Sequence, residues 1–356
     1  MDEDAVAYAA SQTEDEPAED VEDTLAEEVD YDPDHLDDKA EAAVGGRLRR
    51  AVYVALGALT VILGIAVGIS VGYLLWGNTG DVSVVAEPAQ ASNSQVANAS
   101  NVIQITLPDS YTFPVLYGTL GPQLVKAGVI DVDAFAQVYE RSGQPLSSEQ
   151  RAVLLEGSSE PIRIDHQNAR FLLNFLWAVG LANQNPVLIQ GPMQQESDGQ
   201  VERFASTGGW TLSSKPIGAI YSRLMLAPLN AEQQQRLEEA AALVYRPCCD
   251  NPTLFPDCNH GMAMLGLLEL MAARNATVDE MLEAAKYANA FWFPQQMSEV
   301  VAYHAAQSGA QFIDLDAREL VGNTTFSSSG FRTIHQWLGE NGYLNGTPAA
   351  GAQCGV

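Results

Sequence analysis

The chain has 356 residues, 47% of them hydrophobic, and sets 18 Lys and Arg against 45 Asp and Glu for a formal net charge of −27. With no basic surplus to neutralise phosphates, nucleic acid is excluded as a partner. The length allows one sizeable domain with appendages, and the four cysteines permit three disulfide pairings if the compartment is oxidising.

Residues 1–46 hold eighteen of the acids and a single Lys. A segment this charged, with few aromatics and no apolar periodicity, has too little apolar surface to offset its ordering entropy. It reads as a disordered, solvated acidic cytoplasmic tail, with docking to a basic cytoplasmic partner as the alternative.

Residues 47–76 follow as a basic flank, Arg47, Arg49 and Arg50, and the uncharged run from Ala51 to Trp76. About 20 apolar residues cross a bilayer core of about 30 Å, so the pattern predicts a single transmembrane helix with the lipid bilayer as partner. A cleaved signal peptide has a shorter apolar core and starts earlier. The arginines place the N-terminus in the cytoplasm and the C-terminal domain outside, so the expected localisation is a single-pass cell-membrane protein. Gly64, Gly68 and Gly72 form two overlapping G-x-x-x-G steps, the spacing of a helix–helix interface and hence of a homodimer through this helix. Residues 77–104, rich in Ser, Asn, Gln, Ala and Val, read as a flexible stalk.

From 105 to 356 the expected fold is mostly α, an extracytoplasmic globular domain. Asp131 opens VDAFAQVYE, and Ser147 with Gln150, Asn230 with Gln233 and Thr277 with Glu280 make capping boxes before amphipathic runs. Asn168–Leu181 is apolar enough for a core helix, and further helical patterns cover 295–308 and 328–340. The clearest strand signal is VERFA, a Gly-containing turn and WTL, which predicts a small β-hairpin near 201–212. It lies in a glycine-rich loop from about 190 to 215.

The segment from Arg246 to Met264, RPCCDNPTLFPDCNHGMAM, concentrates the donor chemistry. With Asp257 as the N-cap of the following apolar helix, Cys258 and His260 fall in its first turn, where the helix's partial positive charge favours a thiolate. Thiol and imidazole donors at Cys248, Cys249, Cys258 and His260 suit a Cu or Zn ion, with Met264 and Cys354 as additional ligands. Disulfides, such as Cys248 or Cys249 with Cys258, compete with this. His166, His304 and His335 fit satisfied helix-start or boundary positions, His304 having Glu299 and Tyr303 nearby. Glu269, in an otherwise apolar helix, needs a partner such as Arg246 or a metal, or else stays neutral.

H-E-x-x-H, P-loop, C-x-x-C and G-x-G-x-x-G patterns are absent, and no catalytic residue is assigned. The leading expectation is a membrane-anchored extracytoplasmic binding protein holding a soft metal. The alternatives are a thiol-redox enzyme using Cys258 with His260 as helper base, and a structural or assembly protein whose cysteines are disulfides.

Overall fold

A computed structural model describes residues 103–344. The chain enters through β1, Ser110–Gly118, whose alternate residues Phe113 and Val115 are buried. It pairs antiparallel with β2, Ser158–Asp165, where Ile162 and Ile164 alternate inward. The register runs from Ser110 opposite Asp165 to Gly118 opposite Ser158, with irregular steps on either side of Leu116. Pro114 and Pro161 both lie in this two-stranded sheet and donate no backbone N–H, so an irregular ladder is expected there.

Between the strands lie α1 (Leu120–Ala127), α2 (Val132–Arg141) and α3 (Ser148–Leu155). Asp131 caps α2 by accepting from the Asp133 and Ala134 amides, and the Ser147–Gln150 capping box opens α3. After β2 come α4 (Ala169–Ala182), α5 (Ala231–Leu243), α6 (Asn259–Ala273), α7 (Val278–Trp292), α8 (Pro294–Ser308) and α9 (Ser328–Glu340), with short helical turns between them. The Asn230–Gln233 and Thr277–Glu280 boxes form at α5 and α7. Pro294 cannot extend α7 and becomes the first residue of α8.

The core is organised by α4 against α6. Both are buried almost all round, as their largely apolar composition requires. Gly180 and Gly266 face each other at the crossing, where a Cβ on Gly266 would lie 2.7 Å from the Gly180 nitrogen and press on the Leu176 carbonyl. The two backbones therefore touch. A second hydrophobic cluster, built on Phe293, Met297, Phe312, Phe326 and Phe331, joins α7, α8 and α9.

Two expectations are corrected here. No helix among the described residues is long and apolar enough to cross a membrane. The most apolar, α4 and α6, have 14 and 15 residues. At 1.5 Å per residue each is about 22 Å long, short of a bilayer core of about 30 Å. This overturns the fold class with a transmembrane helix and the single-pass localisation. The residues on which that reading rested, Ala51–Trp76 with Gly64, Gly68 and Gly72, lie outside the described residues, as do the acidic tail, residues 77–102 of the stalk and Cys354.

The hairpin near 201–212 does not form either. Val201–Arg203 is a 3-10 turn, and Trp210 and Leu212 are buried against the core. Trp210 Nε1 donates to the Val129 carbonyl at 2.9 Å, and Trp177 Nε1 donates to Ser206 O at 2.7 Å. Ser206 O is committed to the Trp177 indole, and the amides of Thr207, Gly208 and Trp210 close tight turns. The sheet is formed by β1 and β2, where the sequence reading expected no strand.

Candidate metal centre

The loop from Arg246 to Cys258 folds across the N-terminal end of α6 and is pinned on three sides. The Ser206 amide donates to the Asp257 carbonyl at 3.0 Å, and Ser328 N to the Cys249 carbonyl at 2.9 Å. Asp250 Oδ1 accepts from Ser329 N at 2.7 Å, which caps the first turn of α9 and holds the Asp250 carboxyl below its ordinary range. Thr253 N donates to Val244 O at 2.8 Å, which ties the loop to the end of α5. These contacts give a segment with three prolines, Pro247, Pro252 and Pro256, a single fixed path.

At its centre is Arg246, about 1% exposed. Its Nε donates to Cys258 Sγ at 3.2 Å, Nη1 to Asn251 O at 3.0 Å, and Nη2 to Phe255 O at 3.2 Å and Asp257 Oδ1 at 2.7 Å. Burial works against the guanidinium charge, yet Cys258, Cys249 and Cys248 around it, with the Cys258 hydrogen bond, raise its proton affinity above the ordinary value. The guanidinium lies against the first turn of α6 because residue 261 is glycine. A Cβ there would stand 2.6 Å from the guanidinium carbon.

Cys258 itself is the N-cap of α6, its sulfur accepting from Gly261 N at 3.3 Å. This corrects the expected cap, Asp257, which is occupied by Arg246 and by Asn251 Nδ2 at 2.9 Å. It also corrects the partner suggested for Glu269, since Arg246 spends its donors on the cysteine loop.

Cys248 Sγ lies 3.6 Å from Cys258 Sγ and 4.0 Å from Cys249 Sγ. Among the described residues no disulfide forms, so the pairing of Cys248 or Cys249 with Cys258 weighed from the sequence is not present. Donor atoms of Cys248, Cys258 and His260 all fall within 4.8 Å of one another, and so do those of Cys249, Asp257 and Cys258. Cys258 is common to both sets.

His260 is 94% buried, packed 4.3 Å from the Phe293 ring, and its Nδ1 has no hydrogen-bond partner. A buried imidazole nitrogen left this way costs about 1–3 kcal/mol, which a bound ion would recover. Cys249 is drawn towards Asp257 Oδ1 at 3.7 Å. Its contact with Cys248 lowers its pKa, but the contact with Cys258, burial and the Cys258 charge outweigh this and push it up to about 12.

The remaining residues fall elsewhere. Met264 is buried in the main core with Met262 and Met271, where a flexible thioether fills space. Glu299 pairs with His335 at 2.6 Å rather than with His304, whose pKa is lowered by burial. His166 sits edge-on to Phe291 and lines an open groove with residues of β2 and the start of α4. Arg246, Asp257 and Gly261 are the residues the sequence reading missed as members of the site. An Arg beginning the cysteine loop and a Gly at the third position of an N-cap turn were the visible signals.

Comparison of the chain with protein-family models, with curated protein sequences and with solved structures returns no match.

Proposed function

We propose that this domain is a metal-binding module that takes one soft cation, Zn or Cu, at Cys248, Cys258 and His260. The observation that carries the reading is the sulfur spacing. Zn–S bonds of about 2.3 Å at a tetrahedral angle put two thiolates about 3.8 Å apart. Cys248 and Cys258 stand 3.6 Å apart already. The third donor is the imidazole of His260, whose buried Nδ1 has no hydrogen-bond partner.

The surroundings fit a cation with soft ligands. Two thiolates brought together under the core carry a charge of −2, and a divalent ion cancels it while Arg246 and Asp257 cancel each other. A monovalent copper ion leaves one negative charge beside Arg246, which the guanidinium also tolerates. Three protein donors leave a fourth coordination position, and Cys249 Sγ lies 4.0 Å from Cys248 Sγ.

The test is elemental analysis of the full chain, purified reduced and reconstituted separately with Zn2+ and Cu+. One ion per chain is expected, with loss on Cys258→Ser and on His260→Ala, and with Trp292 fluorescence changing on binding, because its ring lies 6.2 Å from His260. A folded, reduced chain that retains neither ion after desalting overturns the reading.

A further inference from the structure

We propose that Cys248 and Cys258 also form a reversible dithiol–disulfide couple, closed by small disulfide oxidants. The part of this proposal that concerns metal release rests on the metal reading above; the couple itself does not.

Geometry selects the pair. Three sulfurs are close together, so three pairings compete. Cys248 and Cys249 are adjacent in sequence, and their Cα atoms are held about 3.8 Å apart by a trans peptide, below the usual 4.4–6.8 Å of disulfides. Cys249 Sγ is engaged by Asp257 Oδ1 at 3.7 Å and by Asn251 O at 3.9 Å. Cys249 lies near Cys258 as well, and the 3.6 Å approach of Cys248 Sγ to Cys258 Sγ selects the pair. Their sulfurs must approach by about 1.5 Å to bond.

The two sulfurs also differ in access in the way an exchange reaction needs. Cys248 is half-buried, whereas Cys258 is 5% exposed. Arg246 Nε and Gly261 N both donate to the Cys258 sulfur and keep it in place. In the first step the Cys248 thiolate attacks one sulfur of an external disulfide RS–SR. The S–S bond breaks, one RS⁻ leaves and takes up the proton lost by Cys248. In the second step the Cys258 thiolate attacks Cys248 Sγ, the mixed disulfide breaks, and the second RS⁻ leaves with the Cys258 proton. Two protein thiols lose two electrons and two protons, and one RS–SR becomes two RSH. Neither sulfur in the resulting disulfide is a thiolate, so a metal ion held by this pair is released.

Glutathione disulfide is the probe. The reduced, metal-free full chain is equilibrated with glutathione buffers of rising oxidised fraction, quenched by alkylation and mapped by peptide mass. A parallel sample loaded with Zn2+ is followed with a chromophoric chelator. The expected product is a Cys248–Cys258 cross-link with Cys249 alkylated, reversed by a dithiol reductant. The Cys258→Ser chain should accumulate a glutathione adduct on Cys248, and Cys248→Ser should give no cross-link.

A dominant link from Cys249 or Cys354, or three cysteines still alkylated in fully oxidised glutathione, overturns the couple. Circular dichroism of each variant separates a folding defect from a lost exchange. A chain that forms the link but never takes up Zn2+ sinks the metal reading and keeps the couple. One that binds Zn2+ and never forms the link does the opposite.

Discussion

Arg246 joins Cys258 and Asp257 with a single buried guanidinium, 3.2 Å from the sulfur and 2.7 Å from the carboxylate. The same side chain also holds the carbonyls of Asn251 and Phe255. The loop that carries three cysteines is therefore folded around a cation supplied from its own start, before any ligand arrives. Such pre-organisation lowers the ordering cost of binding, because the donors do not have to be gathered from a flexible segment.

Replacing that cation should damage the fold as well as the site. Arg246→Met leaves Asp257 and two buried carbonyls without their donor, and breaking a buried ion pair costs about 3 kcal/mol. Asp257 is partly exposed, which keeps the expected loss at that lower end. Arg246→Lys retains the charge but not the fork, and should recover less than half of the loss. Denaturant midpoints at an unchanged m-value measure both. A midpoint for Arg246→Met equal to wild type would mean that the guanidinium does not organise the loop.

Gly261→Ala should cost about 1–3 kcal/mol, the usual range for overpacking, because its Cβ lands 2.6 Å from a guanidinium carbon that four hydrogen bonds hold still. The cause is separable from helix propensity, which favours Ala. In the Arg246→Met background the clash is removed and Gly261→Ala should become neutral or stabilising. A double-mutant cycle reads this coupling directly. Additive effects would assign the glycine to some other role.

Much of the helical frame was legible because its signals are local. Ser147 with Gln150, Asn230 with Gln233 and Thr277 with Glu280 are capping boxes that need only four residues to be recognised, and each opens a helix. The sheet was not legible in the same way. Phe113, Val115, Ile162 and Ile164 do alternate, but each strand carries a proline and the partners are about fifty residues apart. The hairpin was misread because Trp210 and Leu212 look like strand residues until Val129 and the α4 indole Trp177 are placed beside them. At the site, clustering in the sequence groups Cys248, Cys249, Cys258 and His260, and the structure brings donors of Cys248, Cys258 and His260 within 4.8 Å of one another. Which residue capped α6 depended on where Arg246 points, and that is a tertiary fact. Asp257 is the commoner cap type, yet the guanidinium claims it and leaves the cap to Cys258.

Cys249 should be the slow thiol of the reduced, metal-free chain. Its pKa, pushed up to about 12, leaves a far smaller thiolate fraction at pH 8 than an ordinary cysteine has, and alkylation follows the thiolate. Labelling with iodoacetamide should be at least about 100-fold slower than for an unstructured cysteine peptide. Residue-resolved mass spectrometry checks this. Rapid labelling of Cys249 in the folded chain would show that its sulfur is not held against Asp257 and Cys258.

Glu269 sets the pH response of the core. It is fully buried on α6, with the Asn183 and Asn185 amides beside its carboxyl. Burial raises its pKa well above the ordinary carboxyl value, with the Asn183 and Asn185 amides opposing this only in part. The folded state therefore favours the protonated acid. Its favourable contribution is fully present below the unfolded carboxyl pKa, near 4.5. As pH rises the unfolded chain ionises first, and stability falls by about 1.4 kcal/mol per pH unit until the folded-state pKa is reached. Glu269→Gln keeps the shape and removes the proton equilibrium, so this component of the slope above pH 4.5 should disappear. Unfolding free energies of the two chains at intervals from pH 4.5 to 8 provide the comparison. Parallel curves would mean that the Glu269 carboxyl ionises in the folded protein as readily as in the unfolded one, and that α6 opens to water at its centre.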